Sequence, residues 1–139
     1  MALDLEDALV AKLKADAAIY ALAKDRIYPA PLPDVATLPA ITYQEITGVP
    51  QTTHDSIAGG NELINGMYQI DCWGIDKAGA RALAAAVYAE CYGWSGTVTD
   101  AGESCTFGPM LLQARRNNYD SPSRTFNIQL DFTVWYWEV

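Results

Sequence analysis

The clearest periodicity lies at the carboxy end, where Phe126, Ile128, Leu130, Phe132, Val134 and Tyr136 alternate with Thr125, Asn127, Gln129, Asp131 and Thr133. Period-two alternation is the signature of a strand with one buried face. Trp135 and Trp137 then enter the polar register, so the face that starts wet ends aromatic. A second strand, from Cys105 to about Asn117, precedes it, joined by the turn residues 118–123. Two shorter β-rich runs lie upstream, at 40–47 and 66–73, the latter setting Tyr68, Ile70 and Cys72 on one face.

Helical spacing appears twice. From Asp4 to about Lys24, Leu5, Ala8, Leu9, Leu13, Ala17 and Tyr20 recur at intervals of three and four, while Lys12, Lys14 and Lys24 fall mostly off that stripe. Asp16 re-caps a second short helix after a break. From Asp76 to about Tyr92, the stripe is Ala80, Leu83, Ala84, Val87 and Cys91, with Gly93 as the stop and an Ala-rich outer face. The three prolines between Ile27 and Pro33 predict an extended connection, and Trp94 to Glu103 reads as loop.

The order helix, strand, strand, helix, strand, strand predicts an α+β fold. Its expected form is a mostly antiparallel sheet of about four strands with two helices packed on one face, an α/β sandwich of ferredoxin-like character. At 139 residues the chain makes one domain, 1–139, carrying a long polar loop at 48–62.

Composition narrows the functional classes. Half of the residues are hydrophobic and 19% are charged, an ordinary globular balance. The acidic first residues do not resemble a secretory signal, and no apolar run approaches the roughly 18 residues of a membrane span, so a soluble protein made and kept in a cytoplasm is expected. A net charge of −8 repels phosphate backbones and argues against gripping nucleic acid by charge neutralisation. Cys72, Cys91 and Cys105 are odd in number and widely spaced, and they predict buried free thiols rather than disulfides or a zinc site.

Catalytic machinery is hard to assemble from this sequence. His54 is the single histidine and stands in the polar loop beside Asp55, where it reads as an exposed loop residue. Gly93-Trp-Ser-Gly96 lacks the closing glycine of a nucleophile elbow, and Gly59-Gly60 has no adjoining phosphate-binding Lys. Asp71 and Asp131 fall on outward strand positions, where solvation or a cross-strand neighbour is expected. No catalytic residue, cofactor or metal ligand is predicted. The candidate interface residues are Trp135 and Trp137, Arg115 and Arg116 in a basic spot near the last turn, and His54, Asp55 and Ile57 in the loop.

Several phrases, taken together and in order, resemble one family. They are Asp25-Arg-Ile-Tyr-Pro29, Leu38-Pro-Ala-Ile-Thr-Tyr-Gln44, Tyr68-Gln-Ile-Asp-Cys-Trp73 leading into Ala80-Arg-Ala-Leu-Ala-Ala-Ala-Val87, and Asp131-Phe-Thr-Val-Trp-Tyr136. Over nearly the whole chain the sequence is similar to the tail-completion, or tail terminator, proteins of long-tailed bacteriophages and phage-like particles such as gene transfer agents and prophages. The resemblance implies a structural, non-enzymatic virion protein, commonly a homohexameric ring on the head-proximal end of the tail. That ring would end growth of the tube, contact the tail tube protein and the head-tail connector proteins, and let DNA pass through its lumen without specific binding. A neck connector of similar size is the nearest alternative. A small-ligand-binding α+β domain is the alternative from another class, and would require a pocket of convergent polar groups.

Overall fold

The computed structural model describes residues 4–33, 37–51, 63–120 and 125–137, with the side chains of Asp120 and Trp137 left aside. Six strands form a single sheet: β1 (Ile27–Pro29), β2 (Ala40–Gln51), β3 (Leu63–Gly74), β4 (Gly96–Asp100), β5 (Glu103–Asp120) and β6 (Thr125–Trp137). Three helices accompany it: α1 (Leu5–Ala15), α2 (Ala17–Ala23) and α3 (Lys77–Cys91). Strand order is β1-β2-β3-β6-β5-β4, with β1 parallel to β2 and every other pairing antiparallel.

The expected four-stranded sandwich with two helices on one face is therefore corrected. Sheet accounts for 54% of the described residues, the six mixed strands curl into a half-barrel, and three helices accompany them. The two added strands are short edges that carry no apolar alternation of their own. β1 lies in the proline-bearing connection and exists by pairing Ile27, Tyr28 and Pro29 with Ile41, Thr42 and Tyr43. β4 lies in the segment read as loop and pairs with β5 from Gly96↔Phe107 to Asp100↔Glu103. The first three of the four foreseen strands are also longer than predicted. Residues 48–51, assigned to the loop, continue β2, and the remainder of that loop, 52–62, lies outside the described residues.

Local chemistry explains the helices. Asp16 caps α2 by accepting from the Ile19 amide at 3.0 Å, and Asp76 caps α3 by accepting from the Gly79 amide at 2.6 Å. Gly93, at φ 74°, ends α3 in the left-handed conformation that costs a side chain-free residue least. Gly74 lets the first turn of α3 approach β3, since a Cβ there would lie 2.5 Å from the Ala80 amide nitrogen.

One apolar cluster holds these elements together. It takes Leu9 and Leu13 from α1, Ile19 from α2, Leu83 and Val87 from α3, Ile41 from β2, Tyr68 and Ile70 from β3, Met110 from β5, and Leu130 and Phe132 from β6. The α3 stripe Ala80, Leu83, Ala84, Val87 and Cys91 is buried as its spacing predicted. Cys72, Cys91 and Cys105 are buried free thiols; burial raises all three thiol pKa values, that of Cys91 to about 12. Lys12 departs from expectation. It is buried, donating to Glu90 at 2.7 Å with its ammonium 4.0 Å from the Trp94 ring centroid, so this lysine belongs to the inner side of α1.

Candidate functional site

The outward register of the central strands carries Asn65, Met67, Gln69, Asp71 and Trp73 on β3, facing Trp135, Thr133, Asp131, Gln129 and Asn127 on β6. The inward register of the same ladder carries Tyr68, Ile70 and Cys72 against Phe132, Leu130 and Ile128, all in the core. Strand parity thus delivers two different surfaces from one pair of strands.

The upper half of the outward face is polar, yet its middle is not wet. Gln69, Asp71, Asn127 and Asp131 are each under a tenth exposed, and Thr42 beside them is 1% exposed. Of the two expectations for Asp71 and Asp131, solvation or a cross-strand neighbour, the second holds: each lies among polar cross-strand neighbours that screen it from water. The Gln69 amide donates to both oxygens of Asp71, at 3.0 and 3.2 Å, and the Trp73 indole donates to Thr42 at 3.0 Å. Arg116 Nη2 donates to Asp131 Oδ2 at 2.8 Å. Burial holds the Asp71 carboxyl above its ordinary range, and the nearby Asp131 charge adds to this, against the lowering by Gln69, Thr42 and Arg116. Prolines 31 and 33 with Leu32 and Leu38 wall this region on one side, giving an open cleft of about 830 Å³ over Asp71, Asn127 and Gln129.

Among the described residues, three buried side-chain oxygens have no hydrogen-bond partner: Asn65 Oδ1, Asn127 Oδ1 and Asp131 Oδ1. All three residues belong to the outward register. Each of these oxygens is enclosed within the subunit, so they mark where the polar face is packed against itself rather than positions open to another molecule.

The lower half of the face changes character. Trp135 is half-buried, opposite Asn65 in register, and Met67, Val49 and Leu111 lie on the neighbouring outward positions. Val49 and Leu111 are 52% and 40% exposed. The aromatic end of β6 therefore shares one face of the sheet with apolar residues from three other strands, a grouping visible only once the registers are known.

Of the other candidate residues, Arg115 and Arg116 separate. Arg116 pairs in register with Gln129 on the outward side and is committed to Asp131, whereas Arg115 pairs with Leu130 and is exposed with no ion pair among the described residues. Trp137 pairs with Leu63 along the β3–β6 ladder. His54, Asp55 and Ile57 lie outside the described residues, as does Arg124. The buried acceptors Asn65 and Asn127 were not foreseen, because an outward asparagine in a strand carries no sequence signal of burial.

No cluster of three or more His, Cys, Asp or Glu side chains suited to a metal ion occurs among the described residues. None of their helices is long and apolar enough to cross a membrane.

Comparison with known proteins gives two findings. Residues 7–137 match the profile of the family described as Tail completion protein gp17. The fold is similar to a chain in a solved structure of the virion of a native gene transfer agent particle, with TM-score 0.69 and 19% identity, covering 96% of this chain and 95% of that one. No curated protein sequence matches.

Proposed function

Because the chain belongs to the tail completion protein gp17 family, we propose that it acts as a tail terminator, a ring of identical subunits seated on the head-proximal end of the tail. As a member of that family it is a structural protein of phage or phage-like tails. In the finer role the ring ends elongation of the tube, receives the head through connector proteins, and lets DNA pass. The structural similarity to a chain of a gene transfer agent virion supports a place within the particle.

One observation carries the assembly role: the outward sheet face passes from a packed polar network around Asp71 and Asp131 to the half-buried Trp135, with the exposed Val49 and Leu111 on the same face. A polar surface enclosing an aromatic anchor is the usual anatomy of a protein contact. The acidic net charge of −8 suits a lumen through which DNA slides, since repulsion prevents adhesion.

The test is to add the purified protein to elongating tail tubes and image them. A terminator stops growth and leaves a ring-shaped density on one tube end. Tubes that lengthen unchanged, with the protein unbound, would exclude the role, and attachment to the portal side alone would make it a neck connector.

A further inference from the structure

Two stretches of strand have an open side. β1 covers the edge of β2 only from Ile41 to Tyr43, with two further bonds, from the Ile41 amide to the Arg26 carbonyl and from the Ala30 amide to the Tyr43 carbonyl. Beyond it, residues 44–51 are all exposed. At the opposite side of the sheet, β4 covers β5 only over residues 103–107, and Met110 exchanges backbone bonds with Gly93 and Trp94. Past that point residues 111–119 of β5 pair with β6 alone among the described strands. An unpaired edge this long is a template for another strand, and soluble proteins normally avoid leaving one.

We propose that these two edges pair with each other between copies, β2 of one subunit against β5 of the next, so that the sheet runs on around the ring. This rests on the ring reading above and names the surface that builds it. The two edges differ, as a head-to-tail contact requires, and they are similar in length.

Directions agree. β5, β6, β3 and β2 alternate in direction, so rotation about an axis along the strands brings β2 beside the neighbour's β5 antiparallel.

Offset agrees as well. The middle of the β2 edge, at Thr47 and Gly48, lies level with Thr133 and Val134 of β6 through Met67 and Gly66. The middle of the β5 edge, Arg115, lies level with Leu130. That difference is about 12 Å along the strands, over four strand spacings of ~19 Å. The resulting inclination of about 30–35° is close to the ~35–45° tilt at which strands wrap a closed ring of sheet. β1 and β4 sit just past the ends of the paired stretch and leave it unobstructed.

Side chains match too. Of the eight large hydrophobic residues exposed among the described ones, four lie on these edges: Ile46, Val49, Leu111 and Tyr119. Glu45 and Arg115 both face the inward register, opposite Tyr68 and Leu130. Centre-to-centre antiparallel pairing sets them within the diagonal reach of long cross-strand side chains, carboxylate to guanidinium.

A charge exchange tests the contact. Glu45→Arg and Arg115→Glu are each expected to raise the concentration for half-assembly of rings about tenfold, and the double variant to return it to near the parent value. Hydrogen exchange on the unmodified protein needs no variant to fold: amides of 44–51 and 111–119 should both slow when rings form. Rings whose two edges exchange as fast as in the monomer, or single variants that assemble as well as the parent, would overturn the edge pairing while leaving the ring intact. A parent protein that forms no ring, in solution or on tube ends, would overturn both.

Discussion

Replacing Arg116 by Met and, separately, Arg115 by Met should have opposite consequences although the residues are adjacent. Arg116 is 56% exposed at its side chain but partners a carboxylate, Asp131, that is only 9% exposed and already has one oxygen unpartnered. Breaking a fully buried pair costs ~3–5 kcal/mol, and breaking an exposed one ~1 kcal/mol or less. With one partner buried and the other half in water, Arg116→Met should cost about 2 kcal/mol, lowering the melting temperature by roughly 5–10 °C. Asp131→Asn should cost less than ~1 kcal/mol, because the freed guanidinium turns to water. Arg115→Met, which breaks no described pair, should stay within ~0.5 kcal/mol in the monomer and act only on assembly. Urea unfolding at concentrations below ring formation reads all three. Equal losses for the two arginines, or a larger loss for Asp131→Asn than for Arg116→Met, would refute the assignment of the buried carboxylate as the group at stake.

Two further outcomes are expected. The Asp71 carboxyl is harder to ionise folded than unfolded, so protonation stabilises the fold as pH falls through the raised folded value, and the charge is a liability above it. Asp71→Asn should therefore raise the melting temperature at neutral pH, with the advantage shrinking on acidification; a constant offset across pH, or a loss at neutral pH, would contradict the burial argument. Val134→Ala, in the core at 1% exposure, should cost about 2 kcal/mol in monomer unfolding. Trp135→Ser, one residue on, should cost the monomer less and ring formation more. Reversal of that order by calorimetry and light scattering would place the indole within the subunit's own core.

The long periodic elements were legible because burial of one face imposes a pattern on the chain itself. The alternation along β6 correctly assigned Ile128, Leu130, Phe132 and Val134 to the core, and the α3 stripe was read residue for residue. β1 and β4 escaped because three residues beside prolines, and a Thr-Val-Thr run between glycines, become strands only by borrowing hydrogen bonds from β2 and β5. Lys12 was placed on the wrong side of α1, since nothing local announces that Glu90 and Trp94, far along the chain, will receive an ammonium. Outward parity leaves solvent or a cross-strand neighbour open for Asp71 and Asp131, and the structure decides for neighbours that are themselves polar side chains closing over them. Strand parity is local information; what covers a face is not.

The account stands or falls on one strand serving two enclosed environments, the subunit's core through Phe132 and Val134 and a contact between molecules through Trp135. A cryo-electron microscopy reconstruction of the assembled tail end at side-chain resolution tests this most directly. The account predicts a ring at the head-proximal end in which the Trp135 indole is covered by a neighbouring molecule. An indole open to solvent in that ring, or the protein at a different place in the particle, would contradict it.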